Sequence, residues 1–131
     1  MDKTALVGKD IEIGKKIIEA LDNAKFDVRA ALWFYLSDSD RWRFIVASPI
    51  VDKKGPKKAY EAIQSILNKS LPELPESGIS LNDISVVSPK DELIRLLRSA
   101  IRTNHKITSI RFRQSTINNI FIDDVYIYRM L

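Results

Sequence analysis

The sequence predicts an α/β domain, in the wider α+β sense, in which a mixed five-stranded sheet is packed with three helices. Two segments rich in aromatic and aliphatic residues, 28–36 and 41–48, are separated by a polar tetrapeptide, which is typical of a β-hairpin. Three longer segments repeat apolar residues at the helical period, and three more strand-like segments follow the hairpin. The predicted order of elements is therefore α-β-β-α-β-α-β-β.

Each predicted helix has its own local signal. The first is expected over about 9–23, where isoleucine and leucine recur every four residues. The second is expected over about 56–69, because proline is tolerated at the first helical position. For the third, Ser88 is the expected N-cap, followed by proline at N1 and a carboxylate at N3, and the helix is expected to continue to about Asn104.

The strands follow from apolar alternation. Segment 28–36 places apolar side chains on both of its faces, which predicts the central strand of the sheet. The remaining strands are expected over 84–87, 106–113 and 120–130. Helix-length connections join 41–48 to 84–87 and 84–87 to 106–113, so these three strands are expected to be parallel and the other two antiparallel.

The last strand, 120–130, is also apolar on both faces. Three helices are not expected to cover five such strands, and an uncovered sheet face would be a large exposed apolar patch. The sequence therefore predicts a homodimer, in which the partner is a second copy of the chain.

Length and composition narrow the class of protein. A chain of 131 residues with 45% apolar residues matches one domain, expected to span 1–131, that can form a core without disulfides. The absence of cysteine excludes disulfides, a thiolate nucleophile, iron–sulfur ligation and thiolate zinc sites. His105 is the only histidine, so a multi-histidine metal centre is also excluded. We therefore expect no cofactor.

The distribution of apolar residues bears on location. Residues 1–16 alternate charged and apolar side chains and lack the continuous apolar core of a secretion signal, so no leader is expected. The longest apolar run, Ala30–Leu36, has seven residues, whereas a membrane-spanning helix needs about 20. We therefore expect a cytoplasmic protein that has no membrane partner.

Positive charge is concentrated late in the chain. Residues 1–88 carry 13 basic and 13 acidic side chains, whereas residues 89–113 carry seven basic and two acidic ones. Arg95, Arg98 and Arg102 follow i, i+3, i+7 on the third predicted helix and so share one face. Such an arginine ridge suits the phosphate backbone of a nucleic acid or another polyanion, although a solvated helix face is an alternative.

Four lysines flank Gly55 and Pro56 at the start of the second predicted helix. Because a helix amino end already attracts anions, this cluster favours docking of a phosphate or carboxylate, with a solubilising loop as the alternative. The two clusters and the basic residues of the following strand form the candidate anion-binding set: Lys53, Lys54, Lys57, Lys58, Arg95, Arg98, Arg102, Lys106, Arg111 and Arg113.

The sequence carries no strong catalytic motif. Paired carboxylates at 38/40, 91/92 and 123/124 suit a turn, a helix start and a strand bulge. Asp52 and Lys54 resemble the acid-x-lysine element of restriction-type nucleases, with Asp38 or Asp40 upstream. That chemistry would require these groups within about 3 to 5 Å of one metal ion. No catalytic or metal-binding residue is assigned, and a binding domain is favoured over an enzyme.

The chain resembles small uncharacterised bacterial proteins in segments 31–36 and 42–49, Val51-Asp52, Gly55-Pro56, Tyr60 and the ending 125–129. That family has no assigned activity, so the resemblance implies only a bacterial-type, stand-alone domain. The preferred hypothesis is a domain that binds nucleic acid or another polyanion through its arginine-rich helix face. Protein–protein assembly and metal-dependent nuclease activity remain as alternatives.

Overall fold

The computed structural model describes residues 5–131, and the expectation made for residues 1–16 therefore lies partly outside the described residues. The predicted class and order of elements are confirmed, with one short additional helix after the hairpin. The helices are α1 (Gly8–Asn23), α2 (Ile50–Lys54), α3 (Pro56–Ser70) and α4 (Glu92–Ala100), and the strands are β1 (Ala30–Leu36), β2 (Arg41–Ala47), β3 (Ile84–Val87), β4 (Ile110–Ile117) and β5 (Ile120–Met130).

The five strands form one mixed sheet in the order β3-β2-β1-β5-β4. The central position predicted for β1 is confirmed, and β2 and β3 are parallel, as the helical crossover between them requires. The second predicted crossover is wrong, because β4 lies at the far edge of the sheet and pairs antiparallel with β5. The chain leaves α4 at the end of the sheet where β3 stops: the Thr103 amide donates to the Met130 carbonyl at 2.7 Å. It therefore enters β4 in the opposite direction to β3.

The limits of α4 also differ from the prediction. Ser88 is not the N-cap, since Asp91 holds that position and its carboxylate accepts a hydrogen bond from the Leu93 amide at 3.0 Å. The helix ends at Ala100, about four residues early, because Ile101 is already extended with φ −148° and ψ 142°. The following strand is displaced from the expected 106–113 to 110–117.

Both faces of the sheet carry helices. On one face, α1 and α3 pack over β1, β2 and β5, with Ile17 and Ile63 fully buried. On the other face, Ile94 and Leu97 of α4 pack against Leu32 and neighbouring residues of β2 and β5. The uncovered sheet face on which the homodimer prediction depended is therefore occupied by α4. The exposed apolar surface lies elsewhere and is described below.

The packing of α1 on the sheet depends on a close contact with Tyr128. The buried Tyr128 hydroxyl donates to the Ile11 carbonyl at 2.6 Å and accepts from Trp33 Nε1 at 3.1 Å. A Cβ atom added at Gly14 would lie 2.3 Å from this hydroxyl oxygen, so only glycine fits there. Burial raises the pKa of Tyr128 above the usual tyrosine value.

The part of the chain that the structure describes contains no helix with the length and apolar content of a membrane span.

Candidate functional site

At one end of the sheet, backbone hydrogen bonds outside the regular ladders join the ends of β1, β2, β3 and β5 and the loops beside them. At this end of the sheet β2, β3 and β5 stop and β1 and β4 begin, and we call it the basic end for the charges described below. In each of the four bonds a backbone amide donates to a backbone carbonyl: Thr103 to Met130 (2.7 Å), Leu131 to Arg29 (2.9 Å), Arg29 to Ala47 (2.8 Å) and Ser48 to Val87 (3.0 Å).

Four segments that are far apart in the sequence flank this end: 24–29, 48–58, 88–91 and 101–107. Together they carry nine basic and three acidic side chains, a net charge of +6, whereas the whole chain has +4. The remainder of the chain therefore carries a net −2. All nine basic residues are exposed: Lys25, Arg29, Lys53, Lys54, Lys57, Lys58, Lys90, Arg102 and Lys106.

The three carboxylates of the basic end have local roles. Arg29 donates to Asp27 at 2.7 Å, and this hydrogen bond lowers the pKa of the Asp27 carboxyl. Asp52 accepts from the Ser88 hydroxyl at 2.7 Å, and Asp91 caps α4. Among the described residues, no acidic side chain forms an ion pair with the lysines of this surface. Their charge is therefore directed to solvent.

The lysine cluster predicted from the sequence lies within the basic end. Lys53 and Lys54 end α2, and Gly55 then turns the chain with φ +89°, a conformation that favours glycine. Lys57 and Lys58 follow in the first turn of α3, and this turn contains no acidic residue. Cations at a helix amino end oppose the helix dipole, so this arrangement is unfavourable unless an anion is near.

The predicted arginine ridge does not form. Arg102 lies beyond the end of α4, because the helix stops before it. Arg98 is half-buried and donates to the carbonyls of Leu131 and Pro89 at 2.8 and 2.9 Å, so it ties α4 to the end of β5. Arg95 is exposed but lines a groove beside the turn between β4 and β5. Of these three arginines, only Arg102 lies exposed at the basic end, since Arg98 contacts that end but is half-buried by its hydrogen bonds.

Arg111 and Arg113 belong to a different environment on β4. Arg111 makes two hydrogen bonds to the fully buried Asp124 carboxylate, at 2.9 and 2.8 Å. Its guanidinium also lies 5.7 Å from the centroid of the Trp42 ring. Arg113 is 3.8 Å from the same carboxylate. These two arginines therefore balance a buried negative charge instead of extending the basic end.

The groups of the nuclease hypothesis are far apart. Asp38 and Asp40 lie in the turn that precedes β2, whereas Asp52 and Lys54 follow its other end. The seven residues of β2 span about 20 Å at the usual rise of a strand. Asp40 instead accepts a hydrogen bond of 2.6 Å from the Tyr35 hydroxyl, which raises the pKa of Tyr35 to about 12. Within residues 5–131, no three acidic or histidine side chains are grouped as metal ligands.

Sequence reasoning missed four contributors to the basic end, namely Lys25, Arg29, Lys90 and Arg129. Lys25 ends the turn after α1 with φ +60°, and Lys90 lies in the turn before α4. Arg129 is buried, donates to both Asp22 carboxylate oxygens at 2.9 and 2.8 Å, and also reaches the carbonyl of His105. Arg129 thus holds α1 and the 101–107 segment to β5. An arginine within the apolar sequence of β5 was the available signal for this role.

Comparison with known proteins adds no functional evidence, since no protein-family model, curated protein or solved structure matches this chain. The geometry of the basic end is therefore the main evidence on function. The bacterial resemblance noted in the sequence carries no activity that could be transferred.

Proposed function

We propose that the basic end of this protein binds polyanions, and in particular the phosphate groups of nucleic acid. The observation that carries the proposal is the net charge of +6 on four segments that hydrogen bonds bring to one end of the sheet. The exposure of all nine basic side chains supports it further. A phosphate backbone is the common biological ligand with a matching density of negative charge.

The residue types favour phosphate contact over base recognition. Seven of the nine basic residues are lysines, which act as flexible point charges, and Arg29 is already paired with Asp27. Phosphate contacts position a protein on nucleic acid but carry no sequence information directly. We therefore expect salt-sensitive binding with little dependence on base sequence.

The test is fluorescence anisotropy of labelled duplex DNA, single-stranded DNA and RNA across a range of salt concentrations. The test variant replaces Lys53, Lys54, Lys57 and Lys58 with glutamine. The slope of log K against log salt is negative, and each lost phosphate contact reduces its magnitude by about 0.9, so the loss of four contacts reduces it by about 3.6. At about 0.15 M salt this slope corresponds to a weakening of up to about 1,000-fold.

The matched control replaces Lys9, Lys15, Lys16 and Lys69 with glutamine. These four lysines are also exposed, and they lie along α1 and at the carboxyl end of α3, away from the basic end. The control variant should bind like the wild type. Equal losses in the two variants, or no salt-sensitive binding by the wild type at low salt, would contradict the proposal.

We further propose that the protein is a binding domain of the bacterial cytoplasm, as the sequence predicted. Self-association remains a separate hypothesis, and it concerns a different surface.

A further inference from the structure

A groove separates α4 from the turn between β4 and β5. The turn reaches the helix, because the Asn118 side chain donates to the Ser99 hydroxyl at 3.2 Å. The groove has a volume of about 580 Å³. It is lined by Glu92, Leu93, Arg95, Leu96, Asn118 and Ile120.

The rim of this groove carries exposed apolar side chains. Ile120 is 53% exposed, whereas Leu93 and Leu96 are half-buried. Asn118 and Asn119 both have positive φ, as expected for a tight hairpin turn. The apolar residues are therefore presented by a short hairpin, and burial of their exposed surface would stabilise a complex.

The charges beside the groove are self-complementary. Glu92 and Arg95 are both exposed on α4, and neither forms an ion pair with another described residue. Consider two α4 helices that lie antiparallel, with Leu93 opposite Leu96 of the second copy. Arg95 of the second copy then lies two residues along the helix axis from Glu92, which is about 3 Å at 1.5 Å per residue. The same pair recurs on the other side of the twofold axis.

We infer that a second copy of this chain packs on the α4 groove, with the two α4 helices antiparallel about a twofold axis. The leucines form the centre of the contact, the Glu92–Arg95 pairs lie beside it, and Ile120 extends it towards the turn between β4 and β5. This extension is needed because stable interfaces bury about 1,200 to 2,000 Å² in total, more than two short helices supply.

The other long exposed edge fits a second copy less well. Antiparallel pairing of β4 with its own copy would bring the like charges of Arg111 and Arg113 together across the new ladder. The pairing with β5 is also interrupted at Gln114, whose φ is +46°. The charges of α4 favour self-association, whereas those of β4 oppose it.

The test measures the mass and dissociation constant in solution by analytical ultracentrifugation. The wild type should form a dimer of about twice 15.0 kDa at high micromolar concentration. Glu92→Arg and Arg95→Glu alone should each weaken the dimer about tenfold or more, because each places like charges together at two symmetric positions. The double variant Glu92→Arg/Arg95→Glu should restore the wild-type dissociation constant.

A second pair of variants tests the apolar part of the contact. Ile120→Ser should weaken the dimer without affecting the fold, since the side chain is more than half exposed, whereas Val7→Ser removes a comparably exposed apolar side chain at the N-cap of α1 and should have no effect on the dimer. A monomer of 15.0 kDa would overturn the inference. A dimer that is insensitive to the charge reversals and to Ile120→Ser would overturn it as well, because the contact would then lie on another surface.

Discussion

Replacing Gly14 with alanine tests how α1 is held on the sheet. The new Cβ would lie 2.3 Å from the Tyr128 hydroxyl oxygen and 2.9 Å from Trp33 Nε1. Neither side chain has room to move, because Tyr128 is 1% exposed and Trp33 is 3% exposed, and they are hydrogen-bonded to each other. The substitution should therefore displace α1 or break the hydrogen bonds of the Tyr128 hydroxyl.

The expected loss of stability follows from opposing effects. Alanine is favoured over glycine within a helix by about 1 kcal/mol. Overpacking of a close-packed core costs about 1 to 3 kcal/mol, and each lost hydrogen bond of Tyr128 adds about 1 kcal/mol. The free energy of unfolding should therefore fall by about 1 to 4 kcal/mol, and the melting temperature by about 3 to 5 °C for each kcal/mol.

The assay is urea unfolding followed by tryptophan fluorescence and circular dichroism. Gly8→Ala is the control, because no atom lies within 4 Å of a Cβ added there at the start of α1. In the background of Tyr128→Phe, which removes the closest atom, Gly14→Ala should cost less, and the difference measures the coupling between the two positions. A Gly14→Ala protein as stable as the wild type or more stable would refute the described contact.

Two further predictions concern groups at opposite ends of β1. Arg129→Ala should lower the free energy of unfolding, measured in urea, by about 2 to 4 kcal/mol. The substitution leaves the carbonyls of Val28 and His105 and the Asp22 carboxylate without their donor. A loss below about 0.5 kcal/mol would contradict the role of Arg129 in holding these segments together. The hydrogen bond to Asp40 raises the pKa of Tyr35 in the folded protein to about 12, above the usual tyrosine value of about 10, so the stabilising effect of this bond is present below pH 10 and is lost as pH rises towards 12. Urea midpoints measured across this range should fall less steeply in Tyr35→Phe, and equal slopes in the two proteins would exclude a contribution of the hydrogen bond to Asp40.

Two elements with strong local signals were predicted accurately, whereas the N-cap signal at Ser88 was wrong because Asp91 caps α4. The hairpin was evident from the polar tetrapeptide between two apolar segments, and α3 starts at Pro56, as the proline indicated. The end of α4 and the direction of β4 had no such local signal. They depend on hydrogen bonds from Thr103 and Thr108 to Met130 and Tyr128, which exist only once β5 is in place.

The same distinction applies to the candidate site. The cluster at 53–58 was evident because its four lysines are close in the sequence. The arginine ridge required a helix that continued past Ala100, so the early end of α4 removed it. Lys25 and Lys90 join the basic end only because the sheet brings the start of β1 beside the ends of β2 and β3. A count of charge along the chain does not contain that information.

The position of the lysines gives a thermodynamic argument for a bound anion. Lys57 and Lys58 lie in the first turn of α3, where each cation costs about 0.3 to 1 kcal/mol against the helix dipole. Repulsion from Lys53 and Lys54 adds to this cost, and no described carboxylate pairs with any of the four lysines. A phosphate at this end would offset both terms, because it is attracted by the helix amino end and by the lysines together. The arrangement is thus unfavourable in the free protein, and the polyanion proposed above would offset this cost.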